Sequence, residues 1–346
     1  DFRKSYNYSR EEVKAWNLNL NKRMLDKSFK NKWMMAINEE IPNINWPSFD
    51  SNQNIATRKV WGSVIEILAI KKETLVGGSA DLEPSNVTAG FAKIVKDFNK
   101  DNHSGRNFAY GVREFPMGAI NNGIAQHGGL KVFGATFFVF SDYERPALRL
   151  RALQKLPVIS EYTHDSIFVG EDGPTHQPIE HIMACRMIPN LLVIRPADAN
   201  EAVIASKIAF EQKENPSLVL LTRQKVPVFD RNVYPSAENL YKGGYVMKET
   251  DSNPDMTIFC SGSEVWVGLD VADILSEFNV RVINLACWKL FDEQSDKYKE
   301  SVIGDDSSLK ISIEAGITTG WQKYTGNKGL NFGIDTFGES APGNEV

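Results

Sequence analysis

The chain is poor in cysteine, in histidine and in net positive charge, and it has no long apolar run. Its three cysteines, Cys185, Cys260 and Cys287, lie far apart with no Cys-x-x-Cys pair, which excludes a disulfide framework and a zinc-knuckle spacing. Each sits in an apolar stretch, so three buried free thiols in a reducing cytoplasm are expected. A formal net charge of -5 leaves no basic footprint for nucleic acid, so any phosphate must be met by local Arg or His. No apolar segment approaches the ~20 residues of a membrane helix, and the opening residues from Asp1 show no signal-peptide pattern. Internal repeats and low-complexity segments are missing as well.

What is there points to an α/β protein. With 346 residues, 42% of them hydrophobic, the chain can bury two ordinary cores. Residues 1–52 are charged, rich in Asn and Lys, and hold a helical stretch around 10–37, followed by Pro42 and Pro47; they read as a linker arm. From Ile55, helical and strand patterns alternate to about Gln224, the signature of a mainly parallel sheet. Strands are expected at 74–76, 130–133, 158–162, 191–194 and 218–221, with helices after Glu114 and around 147–153. Asp198, with Glu201 three residues on, resembles a capping box. A Pro-containing link from Val226 to Gly243 leads to a second alternation, with strands at 257–260, 281–285, 310–313 and 332–335. The expected fold is therefore two domains, 53–226 and 227–346, each a mainly parallel sheet flanked by helices, preceded by a helical arm at 1–52.

Candidate chemistry concentrates in the first of these domains. Thr163 to Pro178 packs two of five histidines, three acids and two glycines between a strand and a helix, where open parallel sheets bind ligands. Glu114 opens a helix whose Gly118 and Gly123 permit close packing; taken alone, it is a favourable partner for the helix dipole. Phe137, Phe140 and Tyr143 are spaced as on one face of a helical turn. Alone they are core packing, but an aromatic wall beside an acid also suits a flat nitrogen heterocycle. Gly77-Gly78, followed by Ser79 to Asn86, is a tight turn with close backbone approach.

Together these segments resemble transketolases, over nearly the whole chain. The residues that carry the likeness are Tyr110 to Glu114, Gly77 to Asn86, Thr136 to Tyr143, Thr163 to Pro178, and the ending Phe332 to Pro342. The resemblance implies a thiamine-diphosphate enzyme that moves two-carbon ketol units between sugar phosphates. It makes Glu114 the carboxylate on the cofactor's pyrimidine nitrogen, promoting proton removal from the thiazolium carbon. Phe137, Phe140 and Tyr143 become the ring pocket, with Asp81 near the cofactor and Leu82 as the apolar prop beneath its ring. Arg58, Ser85, His164 and Arg223 become ligands of substrate phosphate, for which Arg's planar fork is well suited. Asp172 reads sugar hydroxyls, and His176 stands beside the reactive carbon, with His164 and His176 as candidates for proton work. Phe115 stands where many relatives carry His. His103, His127 and His181 read as surface or helix residues, and Glu171 as structural. No His, Arg or acid in the last domain has a catalytic spacing, which assigns that domain to assembly and packing.

Such enzymes also hold the diphosphate and Mg2+ in a domain marked by a Gly-Asp-Gly run with a later Asn, as the resemblance implies. No such run exists here, and Gly304-Asp305-Asp306 is a poor substitute. The chain is thus expected to be the pyrimidine-binding and C-terminal part of a longer parent, with no metal ligands of its own and no activity alone. Its expected partners are sugar phosphates, a second copy in a homodimer formed around Glu114, and the N-terminal diphosphate-binding domain of the parent. Nucleic acid and membranes are not expected partners. The alternatives are a related deoxyxylulose-phosphate or dihydroxyacetone synthase, or a non-catalytic dimerising subunit.

Overall fold

The arm is helical but interrupted. A computed structural model describes residues 2–250, 253–305, 307–343 and 345–346; Asp1 of the arm, Asp306 of the Gly-Asp-Asp run and Asn344 lie outside the described residues. The arm forms α1 (Phe2–Arg23) and α2 (Lys27–Ile37) rather than one continuous helix. Asp26 causes the restart: its carboxylate accepts from the backbone N–H groups of Ser28 and Phe29, capping a new helix. Beyond α2 the arm joins the first core, where Ile41, Ile44, Trp46 and Phe49 pack against buried residues. Phe49 also exchanges two backbone bonds with the Asn200 amide, at 3.0 and 2.9 Å.

The first sheet unit comprises β1 (Asn54–Ile55), α3 (Thr57–Lys71), β2 (Leu75–Ser79), α4 (Ala89–Val95), α5 (Glu114–His127), β3 (Lys131–Phe137) and α6 (Ser141–Leu153). It continues through β4 (Ile159–Thr163), α7 (His181–Arg186), β5 (Leu192–Ile194), α8 (Ala199–Glu211), β6 (Ser217–Leu221) and β7 (Val226–Pro227). Five of its strands form one all-parallel sheet, in the order β2-β3-β4-β6-β5. β1 and β7 make a small antiparallel pair that the sequence pattern does not reveal. Strand β3 runs four residues past the expected 130–133. Its extension, Gly134-Ala135-Thr136, is made of small residues because α5 lies directly on it: a Cβ on Gly134 would stand 2.6 Å from the Asn121 amide. Gly118 is equally required, since a Cβ there would meet Ala147 and Glu144 of α6 at 2.7 Å. Gly123 is not, because nothing lies within 4 Å of its Cβ position.

The second unit holds β8 (Tyr245–Lys248), β9 (Met256–Cys260), α9 (Glu264–Ile274), β10 (Val280–Asn284), α10 (Trp288–Asp292), α11 (Asp296–Ile303), β11 (Leu309–Ile313), α12 (Gln322–Thr325) and β12 (Leu330–Phe332). Its sheet order is β12-β11-β9-β10-β8, parallel except for the edge strand β8. The last strand lies two residues earlier than the 332–335 expected, and β8, just past the link that ends at Gly243, has no counterpart among the expected strands. All three cysteines are free and buried.

Two buried polar clusters bolt the units together. Arg195, at the end of the β5 segment, is fully buried; its Nε donates to Asp165 Oδ2 at 2.8 Å, and Nη1 donates to the Ser261 carbonyl at 3.0 Å and to Glu264. Beside it, Arg186 of α7 forms a two-pronged pair with Glu314 at 2.7 and 2.8 Å and lies 4.3 Å over the Trp288 ring. Burial opposes the Arg195 charge, but Glu264, Asp165 and Glu314 overcome it and hold the guanidinium above its ordinary pKa. Burial likewise raises the Glu314 carboxyl, and the arginines reverse this, leaving it below the ordinary range. The second bolt starts from Asp198, which caps α8 as expected by accepting from Glu201 N–H at 2.8 Å. The reciprocal arm differs from a capping box: Glu201 accepts from Ala197 N–H and reaches across to Asn284 and Tyr245 of the second sheet.

The acids of the second unit, Glu264 and Glu314, thus hold the first through its arginines. Arg195→Met leaves Asp165 and Glu264 buried without their cation and should cost about 3–5 kcal/mol of stability. Urea unfolding measures this, and an unchanged midpoint would remove the cluster from the stability account.

Candidate active site at the carboxyl edge of the first sheet

Parallel pairing brings the chemistry-bearing segments to one edge. Strands β2, β3, β4 and β6 end at Ser79, Phe137, Thr163 and Leu221, and the register lines up Phe137, Thr163 and Leu221. The residues that follow these ends include Asp81, Leu82, Ser85, Phe140, Tyr143, His164 and Arg223. Helices leading back into the sheet begin at the same edge, which places Arg58 on the first turn of α3 and Glu114 at the start of α5.

Two buried threonines tie one corner of this edge. Thr57 N–H donates to Thr222 Oγ1 at 3.0 Å, and Thr222 N–H returns a bond to Thr57 Oγ1 at 2.8 Å. Their chain neighbours, Arg58 and Arg223, are thereby held side by side. Arg58 Nη1 donates to the Ser85 carbonyl at 2.6 Å, drawing in the Gly77–Asn86 turn. Burial first, and then the Arg223 charge, lowers the Arg58 pKa. Like charges held together in this way need an anion, and the corner has the chemistry of a phosphate site. Sequence reading missed Thr57 and Thr222; their only signal is adjacency to the two arginines.

His164 closes the corner. Its φ of 61° lies in the left-handed region that a non-glycine residue rarely adopts, and its ring lies 3.7 Å from that of Phe137, centroid to centroid. Nδ1 contacts Thr163 Oγ1 at 2.8 Å; this hydroxyl also accepts from Asn86, which in turn accepts from Ser79. Ser79 Oγ then accepts from Leu82 N–H at 3.0 Å, fixing the Asp81-Leu82 turn. Burial, followed by Arg58, Arg223 and His176, pushes the His164 pKa down to about 3. His164 is thus a neutral hydrogen-bonding group at neutral pH.

The aromatic wall exists, although it does not ride on one helix. Phe137 ends β3, Phe140 ends a 3-10 turn, and Tyr143 lies in the first turn of α6. Phe137 and Phe140 stack at 5.8 Å, Phe140 and Tyr143 lie 6.1 Å apart, and His176 meets Phe140 edge-on at 5.5 Å. Tyr143 is 65% exposed, so the wall presents a free aromatic face. Glu114 is buried at the start of α5, whose packing against β3 and α6 anchors it to the elements of the wall. Among the described residues no donor bonds its carboxylate. An acid with open valence and an aromatic face together fit a flat nitrogen heterocycle.

Asp172 and Asp81 stand apart. Both are exposed, and no described hydrogen bond or ion pair joins either to the cluster. The loop that bears Asp172 is nevertheless organised, by a residue that sequence reading passed over. Gln177 donates to the carbonyls of Ile167 and Gly170 and, at 3.0 Å, to that of Glu339. Ser340 Oγ adds a bond to the Glu171 carbonyl at 2.6 Å, so the last segment of the chain braces the loop. His181 is buried, with Nε2 3.2 Å from Asp142 and Nδ1 3.7 Å from Glu180. Their ligand atoms lie within 4.8 Å of one another. His103 and His127 take no part in the cluster.

These features define an α/β protein that gathers an acid, an aromatic wall and an arginine pair on a parallel sheet edge. Residues 53–228 match the family described as "Transketolase, pyrimidine binding domain", and residues 243–346 match the "Transketolase-like TK C-terminal domain". Transketolase from Aquifex aeolicus is 45% identical over 321 residues, 92% of this chain and 45% of that protein. Transketolase from Leishmania mexicana superposes with a TM-score of 0.92 at 36% identity, covering 100% of this chain and 51% of that one. A structure titled "Split gene transketolase, inactive beta4 tetramer" has a TM-score of 0.63 at 25% identity, covering 82% of this chain and 91% of that one. The chain belongs to the transketolase family, whose members depend on thiamine diphosphate. It spans about half the length of the curated relatives it matches.

The depressed His164 has a measurable consequence. An unfolded histidine binds a proton below about pH 6.5 that the folded one refuses, so this stabilisation is full above that value and is lost as pH falls toward about 3. In His164→Asn, the fall in stability over that window should be shallower by as much as one proton per molecule. Parallel wild-type and variant curves would contradict the assigned environment.

Proposed function

We propose that this chain forms the pyrimidine-binding and C-terminal part of a transketolase, which transfers a two-carbon ketol unit from a ketose phosphate to an aldose phosphate. The observation that carries this reading is the coexistence on one sheet edge of Glu114, the aromatic wall and the Arg58–Arg223–His164 corner. Residues 53–226 form the pyrimidine-binding domain, 227–346 the C-terminal domain and 1–52 the linker. Thiamine diphosphate, when bound, supplies the electron sink for cleaving and forming the carbon–carbon bond. Glu114 shares a proton with the pyrimidine nitrogen, while Phe137, Phe140 and Tyr143 exclude water from the ring's face. Leu82 and Asp81 border the cofactor from the turn after β2. Arg58, Arg223, Ser85 and neutral His164 bind the substrate's terminal phosphate. His176 and Asp172, on the braced loop, orient substrate hydroxyls, which discriminates sugars from substrates that lack them.

The diphosphate and its Mg2+ are assigned to a part of the assembly outside this chain. Val112, Phe115 and Tyr143, exposed apolar side chains around Glu114, support a homodimer contact there. Three buried free thiols support a cytoplasmic setting. A second reading makes the chain a separate subunit, inactive without its partner; it is favoured by the similarity to the split-gene structure, most of whose length the match covers.

Two substitutions test the reading in the assembled enzyme. Glu114→Gln should lower turnover by at least about a hundredfold, and normal turnover would sink the cofactor assignment. Arg223→Ala should raise KM for phosphorylated sugars about ten- to a hundredfold with kcat little changed. An equal loss with unphosphorylated sugars would contradict the phosphate role.

A further inference from the structure

Glu161 lies in the middle of β4, paired with Ala135 and Val219, and is fully buried. By strand alternation its side chain shares a face with Ile159, which belongs to the core beneath α3 and α8, and with Thr163. Neither of its carboxylate oxygens has a hydrogen-bond partner among the described residues. Nearby on α3, the Arg58 Nε is also buried and unbonded, while Nη1 is fixed on Ser85. A carboxyl left without a donor at the centre of a sheet is costly unless it is protonated or balanced by charge. Burial pushes it well above the ordinary glutamate range, and the Arg58 charge pulls it back. Among the described residues Arg58 is the charged group that acts on it appreciably; Arg223 acts on Arg58, and both arginines act on His164.

We propose that Glu161 is the internal counter-charge of the phosphate corner, balancing Arg58 in the empty corner above its own raised pKa and taking up one proton from solvent when a dianion binds there. It acts as a positioning residue, touching the ligand only through Arg58, and the inference rests on the phosphate reading above. The linkage has a definite sign. A bound dianion favours protonated Glu161, so affinity is constant and high below the residue's free pKa. Affinity falls by up to tenfold per pH unit above it, and levels off once the bound form also loses the proton. Glu161→Gln, always neutral and nearly isosteric, should bind with the high-affinity limit at every pH.

Sulfate tests this, because it remains a dianion throughout the range and any pH dependence belongs to the protein. Sulfate would be titrated calorimetrically into the full chain at several pH values, in buffers of different ionisation enthalpy. Wild type, Glu161→Gln, Glu161→Leu, Arg58→Ala and Arg223→Ala would be compared. The expected result is proton uptake and a pH-dependent affinity in wild type, with both abolished in the two Glu161 variants. The proposal is overturned if the Glu161 variants keep the wild-type slope, or if wild type takes up no proton. Unchanged binding in both arginine variants would instead overturn the phosphate corner itself, which separates the two failures.

Discussion

The position of the whole candidate site depends on one buried guanidinium. Arg195 holds Asp165, the residue immediately after His164, and on its other side holds Glu264 of the second unit. In water such a pair would contribute little. Here it has no access to solvent, and its removal would leave the buried Asp165 and Glu264 carboxylates without their cation. The conformation of the loop after β4 is therefore set from both sheets at once. The chain's final segment repeats this logic through Gln177 and Ser340, so the second unit is a scaffold for the loop as well as a packing partner.

A second constraint operates at the phosphate corner. The Thr57–Thr222 exchange brings two arginines together, and burial, reinforced by their charge, lowers the His164 pKa to about 3. On the proposed reading the arginines supply charge, while His164 supplies a directed hydrogen bond from a left-handed backbone position.

Much of this was legible in the sequence because open parallel sheets gather ligand residues at strand ends. The β2, β4 and β6 segments, Glu114 at a helix start, and the loop from Thr163 to Pro178 follow from periodicity and composition, and motif resemblance is the source of the roles proposed for them. Illegible features share a cause: they depend on contacts between distant segments. Gly134-Ala135-Thr136 looks too small for a strand until α5 is laid on it. Glu264 and Glu314 look like scattered surface acids until Arg186 and Arg195 approach from the other unit. Asp26 splits the arm helix because its local cap competes with helix continuation, a near tie that periodicity alone does not resolve. Gln177 carries no motif signal beyond its place in the loop, and the 3-10 turn that moves Phe140 between strand and helix is invisible in a three-residue spacing.

The central claim is that this chain holds only the ring and phosphate side of a thiamine site. The most direct measurement is a calorimetric titration of thiamine diphosphate with Mg2+, into the chain alone and into the chain mixed with a transketolase diphosphate-binding domain. Saturable, Mg2+-dependent binding with one cofactor per chain is predicted for the mixture and not for the chain alone. Equally tight Mg2+-dependent binding by the chain alone would contradict the account, because it would require a diphosphate site among residues assigned here to other work.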